Sequence, residues 1–228
     1  MFIVLSNEKS SNYWNILWKW LDINHQYSKS LEFELDFSLY VKKYISSNIK
    51  YFSLLRWMYE IKIAELFTKY ASDYFWYFSS CNKNFSISTK KLTNKYWCNS
   101  CSKCVFVFII LSAFLNDEEI IKIFWENLYF KNDLKDIYYD LLWFWKTKPF
   151  ECVWEKIEVI YAMYKYLKNR ENNLDKYIDK SAILKEFKHN ILCKFSEEDI
   201  LYLEKKLFYY YSSNNIPKIF ECKIKDLF

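Results

Sequence analysis

The sequence contains no glycine. Average usage near 7% predicts about 16 glycines in a chain of 228 residues. Glycine is the residue that adopts positive φ at little steric cost, so this chain has no inexpensive residue for tight turns and helix ends. Proline and histidine are also scarce, at two residues each. These absences exclude a fold whose turns are made in the usual way from glycine and proline.

Tryptophan lies at the opposite extreme, with ten residues. Many of them stand in contexts typical of turns and helix caps, where glycine is expected. We hypothesise that these letters are UGA codons that the organism reads as glycine, an alternative genetic code. The abundance of Lys, Asn, Ile, Tyr and Phe agrees with AT-rich codons; the other interpretation is a chain truly rich in tryptophan. The candidate positions are Trp14, Trp18, Trp20, Trp125, Trp143, Trp145 and Trp154.

Composition also bounds the class of protein. The longest apolar run, Val105–Leu115, is too short to span a bilayer, so we expect no membrane segment. The net charge is +5, and lysine alternates with acidic residues throughout. This pattern predicts a mixed soluble surface and no nucleic-acid partner. Seven cysteines without a signal peptide predict a reducing compartment, and we expect the cytoplasm.

Four of the cysteines lie within one short segment: Cys81, Cys98, Cys101 and Cys104. A C-x-x-C step can aim two sulfurs at one point, and Zn²⁺ takes four such sulfurs in a tetrahedron. The spacing therefore predicts a structural zinc site. An iron–sulfur cluster takes the same thiolates, and reduced cysteines without a metal are a further alternative. A catalytic redox pair needs two cysteines rather than four.

Strands and helices alternate over the first part of the chain, which predicts a parallel α/β unit. The predicted elements there are strand Phe2–Leu5, helix Leu31–Ser46, strand Ile49–Leu55 and helix Met58–Tyr70. After Cys104 the pattern is helical, and Ser196 is a predicted N-cap. The later predicted helices are Val105–Leu115, Ile120–Asn127, Asp133–Leu142, Glu155–Leu167, Lys180–Leu192 and Ser196–Tyr211.

Two polar loops are candidates for a ligand site. Ser6–Asn12 follows the first strand, and Asp22–Ser30 surrounds His25, one of the two histidines. Loops after the strands of an α/β sheet commonly meet the ligand. Each loop taken alone is equally consistent with a solvated or structural role. The density of donors around His25 makes a phosphate or carboxylate pocket the functional interpretation.

Six stretches of the sequence fall into one family pattern. They are Ser6–Asn12 with Trp14-Asn15, Asn24–Ser30 with Phe33-Glu34, Tyr51–Arg56, Phe78–Phe85, Cys98–Phe108 and Lys148–Val153. Together they resemble the UDP-N-acetylmuramoyl-L-alanyl-L-glutamate epimerase family of bacterial cell-wall synthesis, over residues 1 to about 165. Trp14 and Trp154 stand where that pattern has glycine. The cysteine spacing also resembles the zinc site of PP-loop ATP pyrophosphatases such as the 7-cyano-7-deazaguanine synthases.

The resemblance implies a fold and a reaction. The fold is a partial PP-loop, Rossmann-like α/β unit over residues 1–80, a zinc-binding segment over 81–104 and a helical region over 105–228. The enzyme adenylates the terminal L-Glu of UDP-MurNAc-L-Ala-L-Glu with ATP and Mg²⁺. It then epimerises this residue to D-Glu, with release of AMP and pyrophosphate, during peptidoglycan precursor synthesis.

The resemblance, read with side-chain chemistry, also assigns residues to roles. His25 is the preferred acid/base candidate because its ordinary pKa range lies near neutrality. Lys29 is a point charge for a phosphate, and Glu8 is a further catalytic candidate. The substrate or nucleotide would be bound by Ser6, Asn7, Asn15, Asn24, Gln26, Ser28 and Arg56.

One departure from the pattern matters. A Ser-Gly-Gly-x-Asp-Ser type phosphate loop is absent from the sequence, even when Trp is allowed for Gly. We therefore expect this chain to be a C-terminal portion, with an upstream half-protein supplying the phosphate loop. Two other functional classes remain open: a PP-loop enzyme that acts on a nucleobase or tRNA, and a non-catalytic zinc module.

Overall fold

Backbone contacts divide the chain into two units that are interleaved along the sequence. The computed structural model describes residues 1–13, 16–85, 96–142 and 155–225. The N-terminal unit comprises the described residues within Met1–Ile63, Val153–Glu155 and Glu204–Phe228. The helical unit comprises those within Ala64–Cys152 and Lys156–Leu203. The predicted division at residues 80 and 104 stays a prediction.

A small parallel sheet organises the N-terminal unit. Strand β1 (Phe2–Leu5) pairs with the later strand Lys50–Ser53, with Phe2 opposite Lys50 and Leu5 opposite Ser53. The helix α1 (Leu31–Tyr44) lies between them in sequence, as a parallel crossover requires. Its Ser38 donates a hydrogen bond of 2.7 Å to the carbonyl of Tyr51. Because the two strands run parallel, both end at the same edge of the sheet.

An antiparallel hairpin is inserted between β1 and α1. Its strands are β2 (Ile16–Trp18) and β3 (Leu21–Ile23), so the second strand of the parallel pair is β4 (Lys50–Ser53). The sequence pattern did not predict this hairpin. Within the described residues the parallel sheet has two strands, and the PP-loop, Rossmann-like interpretation therefore stays a prediction.

The helical unit is built around one apolar helix. Ser102–Ser112 has eight buried residues, and it packs against Asp117–Phe124, Lys135–Leu141 and Lys156–Lys168. A helix that is apolar on all sides is expected to lie in a core. The α-helices that follow α1 in the described ranges are α2 (Glu60–Tyr70), α3 (Asn82–Phe85), α4 (Ser102–Ser112), α5 (Asp117–Phe124), α6 (Lys135–Leu141), α7 (Lys156–Lys168), α8 (Leu174–Lys180), α9 (Ala182–Asn190), α10 (Glu197–Leu207) and α11 (Lys218–Lys225).

Capping contacts begin two of the helices, and one of these caps, Ser196, was predicted. Asn116 accepts a hydrogen bond from the N–H of Glu119, whose side chain accepts one from the N–H of Asn116, so α5 begins with a capping box. Ser196 accepts from the N–H of Asp199 and caps α10 as predicted. The sequence did not predict α11, whose Phe220 ring packs 5.1 Å from that of Phe2. No helix in the described ranges is both long and apolar enough to cross a membrane.

Candidate metal centre and the loop cluster around Arg56

Cys81, Cys98, Cys101 and Cys104, here called the cysteine cluster, converge in the helical unit as predicted. Their four sulfurs lie within 4.8 Å of one another. The sulfur of Cys104 is 3.6 Å from that of Cys98 and 3.4 Å from that of Cys101. Four sulfurs on one Zn²⁺ are about 3.8 Å apart, because each bond is about 2.3 Å and the geometry is tetrahedral. The four thiols can therefore hold a single metal ion.

Local backbone geometry places these thiols. Cys101 is the N-cap of α4 and Cys104 lies in its first turn, so both sulfurs are at one helix end. Asn99 turns the chain back between Cys98 and Cys101, with φ of 52° in the left-handed region that asparagine tolerates. Its side-chain amide donates to the carbonyl of Phe124, which fixes this turn to the end of α5.

The thiols are not electrostatically equivalent. The hydrogen bond between the sulfurs of Cys101 and Cys104 lowers the pKa of Cys101 to about 4. The same contact, together with burial, raises the pKa of Cys104 well above its ordinary value. Burial also raises the pKa of Cys98. The contact with Cys104 thus favours the thiolate at Cys101, and the thiolate is the form that binds metals. Cys193 and Cys222 are exposed and lie elsewhere, and Cys152 lies outside the described residues.

A second group of predicted site residues comes together in the N-terminal unit. We call Ser6–Asn12, Asn24–Ser30 and Arg56 the loop cluster. The guanidinium of Arg56 is fully buried, and its Nη1 donates to the carbonyl of Glu8 at 3.0 Å and to the Oγ of Ser11 at 2.6 Å. Its Nη2 donates to the carbonyl of Lys29 at 2.6 Å and to Glu34 Oε2 at 3.0 Å. One side chain thereby joins both predicted loops.

Side-chain amides complete the connection between the loops. Asn24 Nδ2 donates to the carbonyl of Ser11 at 2.8 Å, and the Oδ1 of Asn12 accepts from the N–H of Leu31 at 2.7 Å. Asn7 Nδ2 donates to Ser53 at the end of β4. The two polar loops and the ends of the parallel strands therefore lie together.

The predicted site residues differ in their exposure. Ser6, His25, Ser28 and Lys29 are exposed, whereas Asn7, Asn24 and Gln26 are partly exposed. Glu8 and Arg56 are buried, and Arg56 contacts protein groups, as an internal support would. Asn15, predicted to bind substrate, lies outside the described residues, as do Trp14, Trp143, Trp145 and Trp154.

Lys9 and Ser10 also belong to the loop cluster, although neither was among the predicted site residues. Burial, and then the charge of Arg56, lower the pKa of Lys9, whose Nζ lies 4.3 Å from the ring centre of Tyr211. The Oγ of Ser10 is buried without a hydrogen-bond partner in the described part of the chain. Their position in an Asn-Glu-Lys-Ser loop after a strand was the only available signal.

In the N-terminal unit a buried guanidinium connects two polar loops to the ends of a parallel strand pair, and in the helical unit four thiols converge. Comparison with known proteins identifies the family to which a chain with these features belongs. Residues 77–194 match the MurL C-terminal domain and residues 1–54 match the MurL N-terminal domain. The chain belongs to the MurL family, and the resemblance stated above is confirmed.

Individual relatives carry one name, UDP-N-acetyl-alpha-D-muramoyl-L-alanyl-L-glutamate epimerase. The protein of Xanthomonas oryzae pv. oryzae is 38% identical over 161 residues, which are 71% of this chain and 35% of that protein. Those of a Micromonospora species and of Salinispora tropica are each 35% identical over 161 residues, which are 71% of this chain and 35% and 34% of those proteins. The matched segment thus spans about a third of the length of these relatives. No solved structure matches the chain significantly.

Proposed function

We propose that this chain carries out, or contributes to, the ATP-dependent epimerisation of the terminal L-Glu of UDP-MurNAc-L-Ala-L-Glu to D-Glu. The observation that carries the proposal is the identity of 35–38% to relatives that bear the epimerase name. The same name favours this reaction over a nucleobase or tRNA enzyme and over a non-catalytic zinc module. The proposed place of action is the cytoplasm, where nucleotide-linked substrates occur.

The chemistry explains the use of ATP. A free carboxylate makes removal of the neighbouring α-proton difficult, because the product would carry two adjacent negative charges. Transfer of AMP from ATP to the carboxylate releases pyrophosphate and removes that charge. The α-proton is then taken from one face and returned to the other, and water releases AMP from the D-Glu carboxyl group.

The loop cluster offers groups for the proton transfers. His25 is exposed on its loop and is the proposed acid/base residue. Lys9 is the second candidate, since a lysine serves as a base when its pKa is lowered. Lys29 would neutralise a phosphate or carboxylate, and Glu8 keeps its proposed catalytic role. Arg56 would act indirectly, because its hydrogen bonds hold the two loops in place.

The cysteine cluster is proposed to hold one structural Zn²⁺. Sulfurs separated by 3.4–3.6 Å suit a single ion. In a four-iron cluster each cysteine binds a different iron, and the sulfurs would lie farther apart. The ion would join Cys81 to the first turn of α4. Its role is to stabilise the helical unit, and no reaction step passes through it.

The test uses variants of the protein as its own cells make it, with UDP-MurNAc-L-Ala-L-Glu, ATP and Mg²⁺ as substrates. Chiral analysis of glutamate and release of AMP and pyrophosphate are measured together. Replacement His25→Ala should lower kcat/KM by about 100-fold or more, the usual scale for a lost acid/base group. The matched control is His189→Ala, an exposed histidine of α9 in the helical unit, which should retain full activity.

Lys29→Ala should lower kcat/KM to a similar extent, and Lys43→Ala, an exposed lysine at the end of α1, serves as its control. Full activity of the His25 and Lys29 variants would reject the assigned roles. Formation of D-Glu without release of AMP would reject the adenylation mechanism, and absence of D-Glu from the unaltered protein would reject the function.

A further inference from the structure

Four residues in the described part of the chain have positive φ, and two of them are tryptophans. They are Lys19 at 46°, Trp20 at 70°, Asn99 at 52° and Trp125 at 62°. Asparagine tolerates this region because its short side chain can bond locally, whereas a bulky side chain collides with its own backbone. Glycine is the residue that ordinarily occupies such positions, and the chain has none.

Trp125 occupies the position where helices most often have glycine. It follows the last residue of α5 in the left-handed conformation, with φ of 62° and ψ of −6°. Its N–H donates to the carbonyl of Ile121, which closes the helix end. The side chain is 44% exposed, so the indole is not the anchor of a core at this position.

Trp20 occupies the corresponding position of a hairpin turn. Lys19 and Trp20 are the two residues that connect β2 to β3, and both have positive φ. Two-residue hairpins with positive φ at both positions strongly favour glycine at the second one. The indole of Trp20 is 92% exposed, which is unusual for the largest apolar side chain.

We infer that residues 20 and 125 are glycines in the protein that the cell makes, because the codon written as tryptophan at these positions is decoded as glycine. The positive φ of both residues, the exposure of their indoles and the lack of glycine in the sequence all support this inference. Trp97 provides the contrast. Its indole is buried between Phe78, at 5.2 Å, and Phe124, at 4.9 Å, as a selected tryptophan would be.

Mass spectrometry of the protein isolated from its own cells tests the inference directly. Cleavage after lysine yields Trp20–Lys29, Ile123–Lys131 and Tyr96–Lys103, each with a single tryptophan letter. We expect glycine masses for the first two peptides and a tryptophan mass for the third, which serves as the control. Tryptophan at residue 20 or 125 would overturn the inference.

The stability of the protein made with tryptophan at these positions gives a second, independent test. Trp125→Gly and Trp20→Gly should each raise Tm by about 2–4 °C, since each removes a strained backbone position. Trp97→Gly should lower Tm, because it empties a buried aromatic site. An unchanged or lower Tm for both of the first two variants would contradict the structural basis of the inference.

Discussion

The cysteine cluster and the loop cluster are both candidate functional regions, yet they are assembled in opposite ways. Three of the four cysteines lie within seven consecutive residues, and a helix N-terminus presents two of them. The loop cluster joins residues that are 27 and 48 positions from Arg56, through hydrogen bonds to one buried guanidinium. A metal ion can bring the thiols of the cysteine cluster together, whereas the loop cluster depends on the buried positive charge of Arg56.

This difference predicts two kinds of vulnerability. Loss of one thiol should release the metal and weaken the helical unit. Loss of Arg56 should leave Glu34 buried without its ion-pair partner, since that carboxylate is only 1% exposed. The following predictions test the contrast, from the largest expected effect to the smallest.

Cys104→Ser should have the largest effect. Structural zinc contributes about 10–16 kcal/mol of binding free energy in small zinc peptides, and part of that stabilisation should be lost here. We expect zinc affinity to fall by more than about 100-fold, since even changes around metal ligands cost 10–100-fold. Metal analysis and competition with a chelator measure this. Cys193→Ser, an exposed cysteine of the same unit, should bind zinc normally; stoichiometric metal in Cys104→Ser would disprove the site.

Arg56→Met should destabilise the N-terminal unit by about 3–5 kcal/mol, the usual cost of removing one partner of a buried ion pair. Urea denaturation followed by limited proteolysis would show which unit opens. The comparison is Arg170→Met in the helical unit, where the pair with Asp117 is 9% and 27% exposed rather than 0% and 1%. If Arg56→Met lowered the free energy of unfolding by no more than Arg170→Met does, the central role of the Arg56 guanidinium would be refuted.

Ser30→Ala should cost about 1 kcal/mol, the typical value for a lost helix N-cap. The Oγ of Ser30 accepts from the N–H of Phe33 at 3.1 Å and begins α1 at the edge of the loop cluster. Chemical denaturation measures the loss. Ser30→Asp should restore most of the stability because aspartate is an equally good cap; if it does not, the contact is not a cap.

The smallest expected effect is on the pH dependence of folding stability. Burial, and then Arg56, lower the pKa of Lys9, so the folded state binds this proton less tightly than the unfolded chain. Between the lowered pKa and the ordinary lysine pKa of 10.5, stability should therefore rise with pH. Lys9→Met should remove that contribution. Thermal unfolding at several alkaline pH values would show the difference, and identical pH profiles for the two proteins would exclude the proposed environment of Lys9.

The metal ligands could be predicted from the sequence because their geometry is local. Two C-x-x-C steps fix three sulfurs almost without reference to the rest of the fold, so only the approach of Cys81 depended on tertiary structure. The helix start at Ser196 was visible for the same reason, since a cap depends on residues three positions apart.

The remaining features depend on information that is not local. The burial of Arg56 and its hydrogen bonds to both loops arise from tertiary structure, which one arginine in a sequence does not reveal. The hairpin β2–β3 was missed because its turn, Lys19-Trp20, carries no glycine signal. The helix α11 was missed because its stabilisation comes from contacts of Phe220 with Phe2 and Phe52 far away in the chain.

The most direct test of the proposed function is solvent exchange at the glutamate α-carbon. The protein from its own cells is incubated in D₂O with UDP-MurNAc-L-Ala-L-Glu, ATP and Mg²⁺, and the product glutamate is analysed by chirality and mass. We predict D-Glu that carries deuterium at the α-carbon, with one AMP released per D-Glu formed. Product that remains L-Glu, or D-Glu that keeps the original α-hydrogen, would contradict the account.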